Sequence, residues 1–360
     1  MQTETVICPR PEHAVVAANR DAELVRARWW LAVPVALFCL AFVDVLLGLW
    51  RPHPVRLPEQ FSAAYLKRYV DEQRGNRPVV FLGDSVFWGY KFPARDAVPS
   101  RIMRDFPRVP MTNLSYEGGS SVNSYFMLRY VLSRGVRPRL VVFNVNSKET
   151  NTADSAYRRL HPSLEILVAP MFTSHDRHTL DLQQPLTFAQ RLVSFVERYW
   201  RLYRYRVDLR EAFFGTDDAA TALKNFSQKL TGSAHLQALA HRPTPDRFLG
   251  TYDLGPLSAG NVDFTYLRKL SDLLHAANIP AIAILTPTNH RLLHDYIDVP
   301  EYDARLNRMR IALEASGVRV INDDRMISSR DFLDNDHLTP AGDRKFARIL
   351  SPVLRKALAK

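Results

Sequence analysis

A serine presented on the turn that leaves a buried strand can act as a nucleophile, and this chain has one in Gly83-Asp84-Ser85. The four residues before it, Val79–Leu82, are all apolar and read as a strand covered on both faces. Open α/β sheets bind ligands beyond the carboxyl ends of their strands, which is where Ser85 would stand. Gly83 lets the backbone turn sharply and leaves the hydroxyl uncovered. Far along the chain stands Asp334-Asn335-Asp336-His337. His337 offers an imidazole base, and Asp334, three residues earlier, can orient that ring from within one turn. Asp336 is a rival orienter with poorer spacing. Serine, histidine and aspartate make up the nucleophile, base and orienter of acyl-group chemistry. Thr339-Pro340-Ala341-Gly342 follows at once and predicts a helix start, with Thr339 as N-cap and Pro340 at the first helical position.

These blocks resemble the SGNH, or GDSL-type, hydrolase and acyltransferase superfamily. Two further blocks carry the resemblance. In Asn113-Leu114-Ser115-Tyr116-Glu117-Gly118-Gly119-Ser120, Gly118 falls where the family places an oxyanion-hole glycine. In Asn144-Val145-Asn146-Ser147, Asn146 matches the family's side-chain donor, whereas Asn144 replaces a glycine and Ser147 an aspartate. The resemblance covers about residues 77–150 and 260–355. It implies a flavodoxin-like three-layer α/β/α fold around a parallel sheet. It also implies Ser85 as nucleophile and an oxyanion hole formed by the Ser85 and Gly118 N–H groups with the Asn146 amide. No cofactor and no metal is expected.

The elements needed to position these groups are visible in the apolar pattern. Strands are predicted at Val79–Leu82, Met111–Leu114, Leu140–Phe143, Ile279–Leu285 and Val318–Ile321. Helices are predicted over about Ser62–Gln73, Ser121–Ser133, Phe264–Ala276 and Ala304–Ser316, with a basic helix at the C-terminus. Short apolar strands alternating with helices argue for a parallel sheet covered on both faces. Thr286-Pro287-Thr288-Asn289 ends the fourth strand, and Asn289 is expected to line the cleft. Asp84, Trp88 and Asn289 are the candidate substrate contacts. Trp88 and Tyr90 can stack on a sugar ring or pack beneath the loop.

Before this domain, residues 1–28 read as a flexible tail. The 22 residues Trp29–Trp50 are almost all apolar, with tryptophans at both ends and Arg26, Arg28 and Arg51 outside them. That length spans a bilayer core of about 30 Å. Asp44 lies inside the run at a cost of a few kcal/mol unless it finds a partner. No small-residue cleavage site follows, so an uncleaved signal anchor is expected. Residues 51–76 are a proline-stiffened linker and a first helix, and 77–360 form the catalytic domain with a helical insertion at about 150–260. Within the insertion, Phe188, Leu192, Phe195, Tyr199 and Leu202 keep helical spacing among several arginines, and residues 215–247 read as loop. Flanking positive charges balance, so they do not orient the anchor. Family resemblance favours a single-pass cytoplasmic-membrane protein with its domain on the extracytoplasmic, periplasmic side.

The net charge of +11 suits anionic partners, but it is spread along the chain and no nucleic-acid motif accompanies it. No nucleic acid is expected. His290 and His294 are four apart, yet no third metal ligand accompanies them. Three functions remain open. One is transfer of an acyl group, chiefly acetyl, onto a cell-envelope or exported polysaccharide. The tethered SGNH proteins that the chain resembles do this beside a multi-spanning membrane acyl-donor transporter. The second is an esterase or deacetylase that removes such groups. The third is a non-catalytic assembly protein on a degenerate scaffold.

Overall fold

A computed structural model describes residues 32–47, 56–58, 61–90, 93–151, 158–182, 251–252, 257 and 260–359, with scattered positions between 192 and 209. The chain forms two compact units, residues 1–52 with 196–205, and residues 53–195 with 206–360.

The second unit is built on five strands, β1 (Val79–Leu82), β2 (Met111–Asn113), β3 (Leu140–Val145), β4 (Ala281–Leu285) and β5 (Arg319–Asn322). All neighbours pair in parallel, in the order β2-β1-β3-β4-β5. This is the flavodoxin-like order, and its switch point lies between β1 and β3. The three central strands are wholly buried, as their unbroken apolar runs require. The pleat divides each strand between two cores. Val80, Leu82, Val141 and Phe143 join one cluster, and Val79, Phe81, Leu140 and Val142 the other.

Among the described residues, the helices of this unit are, in chain order, α1 (Ala63–Asp71), α2 (Ser85–Trp88), α3 (Val98–Asp105), α4 (Ser121–Ser133), α5 (Pro162–Val168), α6 (Ser174–Thr179), α7 (Val262–Ala276), α8 (His290–Ile297), α9 (Pro300–Glu314) and α10 (Pro340–Leu358). Side chains of α1, α4, α5, α7 and α9 fill the first core, and those of α3 and α10 the second. The expected α/β/α layering is therefore present. The insertion contributes α5, which packs on α1 and α4; residues 215–247 lie outside the described residues.

In the first unit the described residues 32–47 are helical, and both ends of the span expected over Trp29–Trp50 lie outside the described residues. Among the described residues no helix is long and apolar enough to cross a membrane. Leu37, Phe38, Phe42, Val45 and Leu46 of this helix are exposed. Asp44 accepts a hydrogen bond from the Leu202 N–H at 2.8 Å, which gives the charge inside the apolar run a partner. Arg201–Arg204 form a single helical turn. Of the apolar positions expected on the insertion helix, Leu192, Phe195 and Tyr199 are exposed and Leu202 is half-buried, whereas Phe188 lies outside the described residues.

Candidate active site

Ser85 leaves β1 as the first residue of α2, a four-residue helix capped by Asp84. The Asp84 carboxylate accepts the Val86 N–H at 2.8 Å, so the cap fixes the turn that presents the serine. The turn depends on glycine at Gly83, whose φ is +138°. A β-carbon there would lie 1.7 Å from the Asn144 Oδ1. Asn144 fills that space because β3 runs beside β1 in register, Leu82 opposite Phe143. Its Oδ1 accepts the Asp84 N–H at 3.1 Å, and its amide donates to Asp84 at 2.6 Å. Asn144 thus braces the turn that presents Ser85.

The Asp-His loop between β5 and α10 meets Ser85 at this edge. The Ser85 Oγ is 2.8 Å from the His337 Nε2. The His337 Nδ1 is 2.9 Å from both Asp334 carboxylate oxygens, and Asp334 also accepts the His337 N–H at 2.9 Å. Thr339 caps α10 and Pro340 occupies its first turn, as the sequence predicts, which holds the loop's exit. The Tyr90 ring lies over the imidazole with centroids 4.3 Å apart. The three residues expected to do the chemistry therefore form one hydrogen-bonded line.

A second carboxylate stands behind the histidine. Asp336 is fully buried, with its Oδ1 3.5 Å from the His337 Nδ1. Its Oδ2 receives the Asn146 amide and the Lys148 ammonium. Deeper in, Glu149 is buried and shares a hydrogen bond with Asp84. Burial pushes the Glu149 carboxyl well up, and the charges of Asp84 and Asp263 add to this. Burial raises Asp84 as well, although Lys148 opposes it. Burial alone would lower the pKa of His337, but the charge of Asp336 and the hydrogen bond to Asp334 prevail and raise it. Burial likewise pushes Asp334 up, and the hydrogen bond from His337 overrides this and holds it below the usual range.

Four expectations need correction. The Asn146 amide nitrogen donates to Asp336, with Asp84 3.5 Å away, and the residue is fully buried. It ties the catalytic loop to β3 instead of facing an oxyanion. Trp88 is no sugar platform. Its indole donates to the Leu57 carbonyl at 2.6 Å, and the Arg56 guanidinium covers its ring at 3.9 Å. Asp84 is a buried cap, not a substrate contact. Asn289 caps α8 and clamps the catalytic loop, donating its amide to the Asp334 carbonyl at 2.9 Å and its N–H to the Asn335 carbonyl at 2.8 Å.

The other two expected oxyanion donors are the N–H groups of Ser85 and Gly118. The Ser85 N–H opens α2, where no helical acceptor exists. Gly118 is exposed, with φ +74°, on a turn held against Gly83. The Tyr116 N–H donates to the Gly83 carbonyl at 3.3 Å, and a β-carbon on Gly119 would come within 2.2 Å of that same oxygen.

His290 and His294 do not converge on a metal. His290 sits between Asp298 and Asp324 at 2.7 and 2.6 Å, and His294 is exposed beside Asp295. Among the described residues, the histidine–carboxylate group compact enough to hold a cation is Asp334, Asp336 and His337. Ser85 and Lys148 already engage those atoms. Sequence reasoning missed Asn144 and Lys148, because both serve the site only through contacts across strands.

A family model that carries no description matches residues 258–359, from just before α7 to the end of α10. No curated protein matches the chain. Similar solved structures include one from Bacteroides fragilis assigned as an acylhydrolase, with 11% identity and a TM-score of 0.41, covering 83% of this chain and 100% of its own. A GDSL-like lipase of Bacteroides thetaiotaomicron has 11% identity and a TM-score of 0.40, covering 82% and 100%. A structure assigned to the G-D-S-L family from Desulfitobacterium hafniense has 9% identity and a TM-score of 0.34, covering 77% and 99%. Likeness this distant carries nothing about chemistry, which rests on the side chains.

Proposed function

We propose that this chain is a serine acyl-transfer enzyme of SGNH type that works through an acyl-enzyme on Ser85. The observation that carries the reading is the unbroken line from the Ser85 hydroxyl through the His337 imidazole to the Asp334 carboxylate, at 2.8 and 2.9 Å. The neutral imidazole takes the serine proton as Oγ attacks an ester carbonyl carbon. Asp334 holds the ring's tautomer and stabilises its charged form. The carbonyl oxygen, now negative, meets the N–H groups of Ser85 and Gly118. Collapse of the tetrahedral adduct expels the alcohol, which receives the proton from His337. A second alcohol or water then enters by the same steps in reverse order and releases the acyl group. Asp336, fixed by Lys148 and Asn146, keeps the imidazole basic without touching substrate.

The acceptor we favour is a cell-envelope or exported polysaccharide, and the group an acetyl, on the strength of the family resemblance. The apolar run Trp29–Trp50 and the exposed apolar side chains of residues 32–47 support a membrane tether. The domain would then sit outside the cytoplasmic membrane, beside a multi-spanning acyl-donor transporter. Simple hydrolysis uses the same acyl-enzyme and differs only in letting water accept the group. The test is mass spectrometry of the protein after exposure to p-nitrophenyl acetate. An acetyl adduct on Ser85, absent in Ser85→Ala, supports the reading, and no adduct with no turnover returns the chain to the non-catalytic class. Addition of a glycan acceptor then separates transfer from hydrolysis.

A further inference from the structure

The sheet has a second open edge, where the strands begin. Residues from the approaches to four strands, Arg77, Pro110, Arg139 and Arg319, line a cavity of about 740 Å³ there, together with Lys356 and Leu358 of α10. Val79 opens β1 and Ser85 follows its far end, so the length of the strand, about 10 Å at roughly 3.3 Å per residue, separates this cavity from the nucleophile turn. Arg77, Arg139, Arg319 and Lys356 are all exposed, and no aspartate or glutamate lines the space.

Some arginines elsewhere meet carboxylates: the half-buried Arg134 and Arg101 reach Asp71 at 2.8 Å and Asp96 at 2.7 Å, and the exposed Arg325 reaches Asp298 at 3.1 Å. Among the described residues Arg77, Arg319 and Lys356 have no carboxylate partner, and Arg139 donates only to the Leu358 carbonyl at 3.5 Å. Four like charges around one hollow repel one another, and among the described residues no carboxylate lines it to relieve that repulsion. Arg77 also has φ +45°, a left-handed conformation that is costly for a long side chain.

We propose that this cavity is a binding site for a phosphorylated anion. Guanidinium groups offer paired donors that match phosphate oxygens, and lysine adds a point charge. Four positive charges balance two phosphate groups, whereas a single carboxylate would leave most of the repulsion in place. The apolar walls from Leu140, Ile282 and Leu358 leave room for an uncharged part of the ligand. A soluble diphosphate and the headgroups of an anionic lipid share this chemistry.

The test uses the full chain and two variants of equal net charge. One is Arg139→Gln with Arg319→Gln in the cavity. The other is Arg268→Gln with Arg308→Gln, both exposed on other elements. Pyrophosphate binding is measured by titration calorimetry at physiological salt. Capture by phosphatidylglycerol vesicles is compared with capture by phosphatidylcholine vesicles, so that the apolar N-terminal helix contributes equally to both arms. The expected result is binding at least tenfold weaker in the cavity variant than in the control variant, in one of the two arms. Loss with pyrophosphate identifies a soluble ligand, and loss only with phosphatidylglycerol identifies the lipid surface. Equal weakening in both variants, or no binding of either probe by the unaltered chain, overturns the proposal. Turnover of p-nitrophenyl acetate stays unchanged in both variants, because neither touches the serine edge.

Discussion

Replacing Lys148 tests whether the charge behind His337 is built into the site. Its ammonium meets Asp336, and the two side chains are 13% and 0% exposed. A pair this enclosed does not behave as a surface ion pair, which contributes at most about 1 kcal/mol. In Lys148→Met the Asp336 carboxylate stays buried with only the Asn146 amide on its Oδ2. Removing one partner of a buried pair costs about 3–5 kcal/mol, a large share of a domain stability of roughly 5–15 kcal/mol. Asp336→Asn removes the charge instead, and the double variant leaves no unpaired charge. We expect Lys148→Met alone to be the least stable of the three, and the double variant to recover about 2 kcal/mol or more over it. Urea titration with an unchanged m-value measures this.

The same variants move the pH profile in opposite directions. Lys148 opposes protonation of His337 and Asp336 favours it. The imidazole must be neutral to act as base, so activity rises with pH through the pKa of His337. Lys148→Met shifts that limb toward alkaline pH, and Asp336→Asn shifts it toward acid pH. The charged and titratable groups that face the ring are Asp334 and Asp336 from its own loop, Lys148 beyond β3, Tyr90 after α2 and Asp343 on α10. A loss below 1 kcal/mol in Lys148→Met, or limbs that move together, refutes this account of the charge network.

Gly83→Ala places a β-carbon against Asn144 at a positive φ and is expected to cost about 3 kcal/mol or more, read as a lower thermal midpoint with lost esterase activity. Trp88→Phe leaves the buried Leu57 carbonyl without its donor. The loss should be about 1–3 kcal/mol of stability with KM for a small ester unchanged, whereas a raised KM would return Trp88 to the substrate site. Burial pushes the Asp343 carboxyl up to about 8. A folded pKa above the unfolded one gives stability that is complete at acid pH and is lost as pH rises through about 8. Asp343→Asn should therefore flatten that slope and be the more stable protein at pH 9, as denaturant midpoints across pH will report.

The sequence by itself determined the strands, the principal helices and the three residues of the proposed acyl chemistry. Short apolar runs of four to six residues, rich in valine and isoleucine, favour strands covered on both faces, and β1, β3 and β4 are so covered. The cap Thr339 and the pair Asp334 and His337 are local features, set within one turn of chain. The sequence also suggested four roles that the fold reassigns, those of Asn146, Trp88, Asp84 and Asn289. Each is a polar or aromatic side chain near the serine in sequence or at a neighbouring strand end. Whether such a group faces solvent or a buried partner depends on what packs over it. Arg56 covers Trp88 from the linker, and the catalytic loop consumes the amides of Asn146 and Asn289. Tertiary structure alone decided that Asn144 braces the nucleophile turn and that Lys148 neutralises Asp336. The register that sets Leu82 opposite Phe143 brings Asn144 against Gly83. No property of residue 144 alone foretells that, because strand register is a property of two segments packed together, not of either one.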